Sequence, residues 1–133
     1  MNESMPTALV IEDDHEIRHF VRAALEHDGW LVREATTLAH ARVDTRSGHP
    51  DLIVLDLGMP DGGAVDYIAQ VRARSRVPII VLAARVDDDA RMGALQAGAN
   101  DYLSKLFGIG ARFDAALRRL RPRPPYSMEN MNE

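Results

Sequence analysis

Hydrophobic positions along the chain gather into five short runs at fairly regular intervals: "ALVI" (8–11), "WLVREA" (30–35), "DLIVLD" (51–56), "PIIVLA" (78–83) and "DYLS" (101–104). The third and fourth are continuously apolar, as strands of a parallel sheet covered on both faces should be. Between the runs the pattern turns helical. Ile17, Phe20, Val21, Ala24 and Leu25 recur at helical spacing, Asp14 stands where an N-cap belongs, and Gly29 stands where a helix stops. Further helices are predicted at 37–46, 63–74, 87–97 and 110–120, with Gly98 closing the fourth. Strands and helices alternating in this way predict an α/β fold: a parallel sheet with right-handed crossovers. From Arg121 the chain reads "RPRPPYSMENMNE", proline-rich and then polar. The expected division is therefore a domain over 1–120 and a tail or linker remnant over 121–133.

Bulk properties narrow the function classes. The 133 residues are one domain's worth of chain, 46% hydrophobic and 27% charged. A net charge of −4 gives no electrostatic reason to expect nucleic-acid binding by this chain. Cysteine is absent, which excludes disulfides, thiolate chemistry and cysteine zinc sites. Apolar runs such as "VPIIVLAA" are too short to span a bilayer, and no signal-peptide pattern opens the chain. A cytoplasmic location without a membrane partner is the expectation.

Three carboxylates fall at predicted strand ends: Glu12 and Asp13 after the first strand, and Asp56 closing the third. In an open parallel sheet, ligands bind beyond the carboxyl ends of the strands, where the strand order switches. Like charges at close range resist joint ionisation, so such a cluster wants a cation, and an all-oxygen donor set selects a hard ion such as Mg²⁺. A carboxylate held on that ion can attack phosphorus and form an aspartyl phosphate. Lys105, just past the fifth strand, would supply positive charge to a transferring phosphoryl group; alone, it would read as a surface lysine.

"VIEDD", "LDLGMPDG" and "AGANDYLSKLFG" together resemble the response regulator receiver domain of bacterial two-component signalling, over about Thr7 to Leu120. "LGMPDG" and "FGIG" look closest to the OmpR/PhoB-type subfamily and its Kdp-type potassium-transport regulators. The resemblance implies a CheY-like, flavodoxin-like (βα)5 domain with strand order 2-1-3-4-5 and helices on both faces of the sheet. It implies that Asp56 is the phosphoacceptor and that Asp13, Asp56 and the backbone carbonyl of Gly58 ligate Mg²⁺. Glu12 would act on the metal through water, Lys105 would contact the phosphoryl group, and Tyr102 matches the aromatic switch. A sensor histidine kinase would be the phosphoryl donor, with transcription regulated through an effector domain not encoded in this chain. No enzyme activity is implied beyond, at most, slow self-dephosphorylation.

Three departures from the family pattern stand out. "VLAAR" replaces the usual "VLSAR", so Ala83 offers no hydroxyl to the phosphoryl group; damped switching is expected, with Tyr102 free to turn inward unprompted. Leu106 stands where the family has proline. A cis bond before a non-proline residue costs about 2.5–4 kcal/mol, so Lys105–Leu106 is expected trans and Lys105 misaimed. "FGIGARFDAALRRL" reads as the family pattern with three residues missing after Gly110, so the last helix is expected to start late and to lack its leading glutamate. With Asn100 in place of an acidic residue, and only Arg91 and Asp101 retained, a dimer through helix 4, strand 5 and helix 5 should be weak.

Other features have plainer readings. His15 and His19 have a metal-ligand spacing but no third ligand, which favours solvated helix surface over zinc. "GIGARF" lacks the third glycine of a dinucleotide fingerprint and reads as turn chemistry. Asp87–Asp89 suit a helix N-terminus, and Trp30 suits the core. Three function classes remain in view: a phosphorylatable receiver, a degenerate receiver acting as an unphosphorylated interaction domain, and an aspartyl-phosphate phosphatase of the haloacid dehalogenase type. The last needs an Asp two residues after the nucleophile, where this chain has Gly58.

Overall fold

The computed structural model describes residues 5–106 and 108–120; the expected tail over 121–133 lies outside them. Five strands alternate with five helices: β1 Thr7–Ile11, α1 His15–His27, β2 Leu31–Ala35, α2 Leu38–Gly48, β3 Leu52–Asp56, α3 Ala64–Arg72, β4 Ile79–Ala83, α4 Asp88–Ala97, β5 Asp101–Ser104 and α5 Gly110–Leu120. All neighbouring strands are parallel, in the order β2-β1-β3-β4-β5. This is the fold expected from the sequence.

The apolar runs become strands because each has two faces to bury. Every residue of β3 and β4 is buried, whereas β2 at the sheet edge is half exposed. One core layer gathers Leu9, Ile11, Ile53, Leu55, Ile79 and Val81 with Tyr67 and Ile68 of α3. The opposite layer gathers Val10, Val54, Ile80 and Leu82 with Val21 and Leu25 of α1, Phe113 and Leu117 of α5, and Trp30. Alternate residues of one strand thus serve opposite layers.

Helix starts carry side-chain caps. Asp14 accepts from the Ile17 N–H, Thr37 from the His40 N–H and Asp87 from the Ala90 N–H. Two helix ends differ from the sequence expectation. Helix α2 continues to Gly48 before His49 turns left-handed at φ 46°. Helix α3 ends at Arg72, where the Arg74 N–H tightens to an i−3 bond with the Val71 carbonyl.

Candidate functional site

Pairing of β1 with β3 aligns Ile11 with Leu55, so the next residues, Glu12 and Asp56, leave the sheet side by side. The chain order switches at this point, with β2 on one side of β1 and β3 on the other. Carboxylate oxygens of Glu12, Asp13 and Asp56 all lie within 4.8 Å of one another. Glu12 is 1% exposed and Asp56 5%, while Asp13 is exposed. Gly58 sits beside Asp56, its N–H donating to Asp56 Oδ1 at 3.2 Å.

Lys105 is the chain's single lysine. Its Nζ lies 2.9 Å from Glu12 Oε1 and 3.2 Å from Asp56 Oδ1. There is no cis peptide among the described residues, so the Lys105–Leu106 bond is trans as expected. The expectation of a misaimed Lys105 is corrected. Its backbone N–H donates to the Ala83 carbonyl at 2.7 Å, which extends the β4–β5 ladder and delivers the side chain across β4.

The electrostatics of this corner leave room for a cation. Burial raises the Glu12 carboxyl from 4.5 to about 7; the Lys105 ammonium opposes that rise and the Asp56 charge adds to it. For Lys105 itself burial works toward a lower value, but Glu12 and Asp56 outweigh it and the net direction is upward. Glu12 Oε1 is buried and, apart from that ammonium, has no partner among the described residues. Three carboxylates face one ammonium, and all their donor atoms are oxygens. That set of Glu12, Asp13 and Asp56 fits a hard divalent ion such as Mg²⁺.

Three side chains that the sequence reading did not single out hold the loops of the site. Arg18 of α1 donates to the carbonyls of Glu12 and Asp13 at 3.1 and 3.3 Å, and its Nε pairs with Glu34 of β2 at 3.2 Å. Asp61 accepts from the N–H groups of Leu38 and Ala39 at 3.0 Å each, tying the loop after Asp56 to the start of α2. Those bonds hold the Asp61 carboxyl below the usual carboxylate range. Arg112 of α5 donates to the carbonyls of Ser104 and Leu106 at 2.9 Å each, and also to that of Gly108. Carbonyl-directed arginines leave no motif in a sequence; Asp61 was visible only as part of "MPDG".

The remaining candidates fall as follows. Ala83 is buried at the end of β4, in register with Ser104. Tyr102 packs partly buried against the core layer of α3 and α4, and its hydroxyl donates to the Arg85 carbonyl at 3.2 Å. Asn100 is engaged within the chain, its Oδ1 accepting from the Ile79 N–H at 2.8 Å and from Arg72 at 3.1 Å. Asp101 pairs with Arg119 of the same chain. His15 and His19 are exposed, their rings parallel with centroids 6.4 Å apart. Among the described residues, the acidic corner is the one group of three potential metal ligands, and no helix is long and apolar enough to cross a membrane.

A five-stranded parallel sheet of this order, with carboxylates and a lysine converging at its switch point, defines a receiver-type signalling domain. The family model for the response regulator receiver domain matches residues 8–116, and the chain belongs to that family. It is 50% identical over 118 residues to the KDP operon transcriptional regulatory protein KdpE of Escherichia coli, covering 86% of this chain and 52% of that protein. The phosphate regulon transcriptional regulatory protein PhoB of E. coli is 34% identical over 120 residues, covering 86% and 52%. The chain thus spans about half the length of these curated relatives. Among solved structures, the beryllofluoride-activated NtrC4 receiver domain dimer superposes with a TM-score of 0.78 at 30% identity, covering 86% of this chain and 93% of that one. A response regulator from Chloroflexus aurantiacus gives 0.79 at 26% identity, covering 90% and 100%.

Proposed function

We propose that this KdpE-like receiver domain takes a phosphoryl group onto Asp56 from a sensor histidine kinase and, in a longer regulator, passes the change to a transcriptional output. The observation that carries the reading is the placement of Lys105 Nζ within 3.2 Å of Asp56 Oδ1, beside two further carboxylates. An Asp56 oxygen attacks phosphorus, the bond from phosphorus to the donor histidine nitrogen breaks, and that nitrogen keeps the electron pair. Lys105 balances charge on the arriving phosphoryl oxygens while remaining protonated. Asp13, Asp56 and the Gly58 carbonyl would hold Mg²⁺, which supplies Lewis-acid charge neutralisation when bound. The chain is not an enzyme in its own right; its chemistry ends at an aspartyl phosphate that hydrolyses slowly. A cytoplasmic location suits a kinase-fed receiver.

Incubation with acetyl phosphate and Mg²⁺ should add one phosphoryl group by intact mass. Asp56→Asn, or omission of the divalent ion, should abolish it. Modification of the Asn variant would sink the assignment.

A second reading concerns the output and is favoured by one contact. The Tyr102 hydroxyl already bonds the Arg85 carbonyl in the unmodified chain, and Ala83, buried at the end of β4, has no hydroxyl to offer. Switching is therefore damped: the lost hydrogen bond to a charged group corresponds to about 1.5–3 kcal/mol. In the limit, the domain acts as a phosphorylation-independent interaction module. Fluorine NMR of labelled tyrosine should show little change at Tyr102 with beryllofluoride, and Ala83→Ser should introduce one. A large shift in the wild type, unchanged by the serine, contradicts damping. Any homodimer through α4, β5 and α5 is proposed to be weak, since Asn100 and Asp101 are engaged within the chain.

A further inference from the structure

The loop that carries Lys105 leaves the sheet after β5, held there by the Lys105 N–H on the Ala83 carbonyl at 2.7 Å and the Leu106 N–H on Ser104 Oγ at 3.0 Å. Leu106 and Gly108 beyond it are exposed. A lysine side chain has several freely rotating bonds, and its ammonium stays over Asp56 only while its backbone stays in place. The Arg112 guanidinium reaches back from the first turn of α5 to the carbonyls on both sides of Lys105, those of Ser104 and Leu106, and to Gly108. It can do so because α5 begins at Gly110, which puts Arg112 within one turn of the loop. Among the described residues Arg112 pairs with no carboxylate, and its bonds go to this loop. The next residue, Phe113, is fully buried in the core layer and anchors this turn of α5.

We infer that Arg112 is the positioning residue for Lys105, closing the β5–α5 loop around it so that the ammonium faces the acceptor carboxylate. The inference rests on the proposed phosphoryl acceptance by Asp56 for its kinetic consequence, but its geometric core does not. One guanidinium nitrogen, Nη2, reaches the carbonyls on either side of Lys105, those of Ser104 and Leu106, and also that of Gly108. Charge-assisted hydrogen bonds on both sides of a residue narrow the poses open to its side chain.

The sole lysine makes the test direct, because protein labelled with ¹³C,¹⁵N-lysine gives a single side-chain ammonium signal. In the wild type that signal should be displaced from free lysine and should respond to beryllofluoride with Mg²⁺. Arg112→Gln should move it toward the free value and slow acetyl-phosphate labelling about tenfold. Arg112→Lys, which keeps the charge on a flexible stem, should fall between, and it serves if the glutamine variant does not fold. An unmoved Lys105 signal in Arg112→Gln overturns the inference, whatever the labelling rate. Failure of the wild type to take up phosphate, with the lysine signal behaving as described, would count against phosphoryl acceptance by Asp56 and leave the positioning role standing.

Discussion

Two loops meet over Asp56, and each is held by an arginine that donates to backbone carbonyls. In the β1–α1 loop, Arg18 binds the carbonyls of Glu12 and Asp13 and is itself paired with Glu34, which also takes Arg22 at 2.9 Å. In the β5–α5 loop, Arg112 binds carbonyls alone. The first clamp joins α1 to β2 across β1; the second closes within residues 104–112. The Arg18 side chain is 15% exposed, whereas Arg112 is exposed. The metal-facing loop is thus clamped by a shielded arginine with its own acidic partner, whereas the lysine-bearing loop is clamped by an exposed arginine without one among the described residues.

The largest expected effect separates the two clamps by ligand. Arg18→Met removes the donor to two carbonyls at the metal-facing loop, and Mg²⁺ affinity by calorimetric titration should fall about tenfold or more, as for other residues that orient metal ligands. Arg112→Gln should leave Mg²⁺ affinity unchanged while slowing phosphorylation. Equal losses of Mg²⁺ affinity in the two variants would break the distinction. A smaller effect is expected at Arg22, which shares Glu34 but touches neither loop carbonyl. Arg22→Met should lower stability in urea by no more than about 1 kcal/mol and leave Mg²⁺ binding intact.

The smallest effect lies in the acid limb of stability. Glu34 is held below its ordinary 4.5, by Arg22 first and then by Arg18, although partial burial works the other way. The unfolded chain therefore takes up this proton at higher pH than the native one. The contribution is fully present above the unfolded value and is lost as pH falls through the native value. Glu34→Gln should lower stability slightly near neutrality and converge with the wild type as pH falls below 4.5, which flattens the acid limb. A variant that loses stability equally at all pH values would show that Glu34 acts by packing rather than by charge.

Much of this was readable before any coordinates. The strand limits agree to within a residue, because β3 and β4 are apolar throughout and a two-faced buried strand has no other way to look. The acidic trio was placed together because residues closing β1 and β3 must emerge at the switch point. Other details had no local signal. Lys105 seemed misaimed when judged from Leu106 alone, yet the bond from its N–H to the Ala83 carbonyl carries the backbone past the strand end in register. Asn100 looked like a gap in a dimer face, but it serves the start of β4 by accepting from the Ile79 N–H.

What the sequence determined by itself is the alternation of elements, the strand ends that bear carboxylates, and the chemical class of the site. Hydrophobic period, helix caps and turn residues are local, and each can be read within a few positions. What only the tertiary structure decided is how the site is held and tuned. Glu12 rises to about 7 because β1 buries it beside Asp56, and Arg18 and Arg112 find carbonyls rather than carboxylates. Every residue carries a backbone carbonyl, so a guanidinium aimed at one leaves no pattern in the amino-acid letters; only the folded path of the chain chooses which carbonyls it meets.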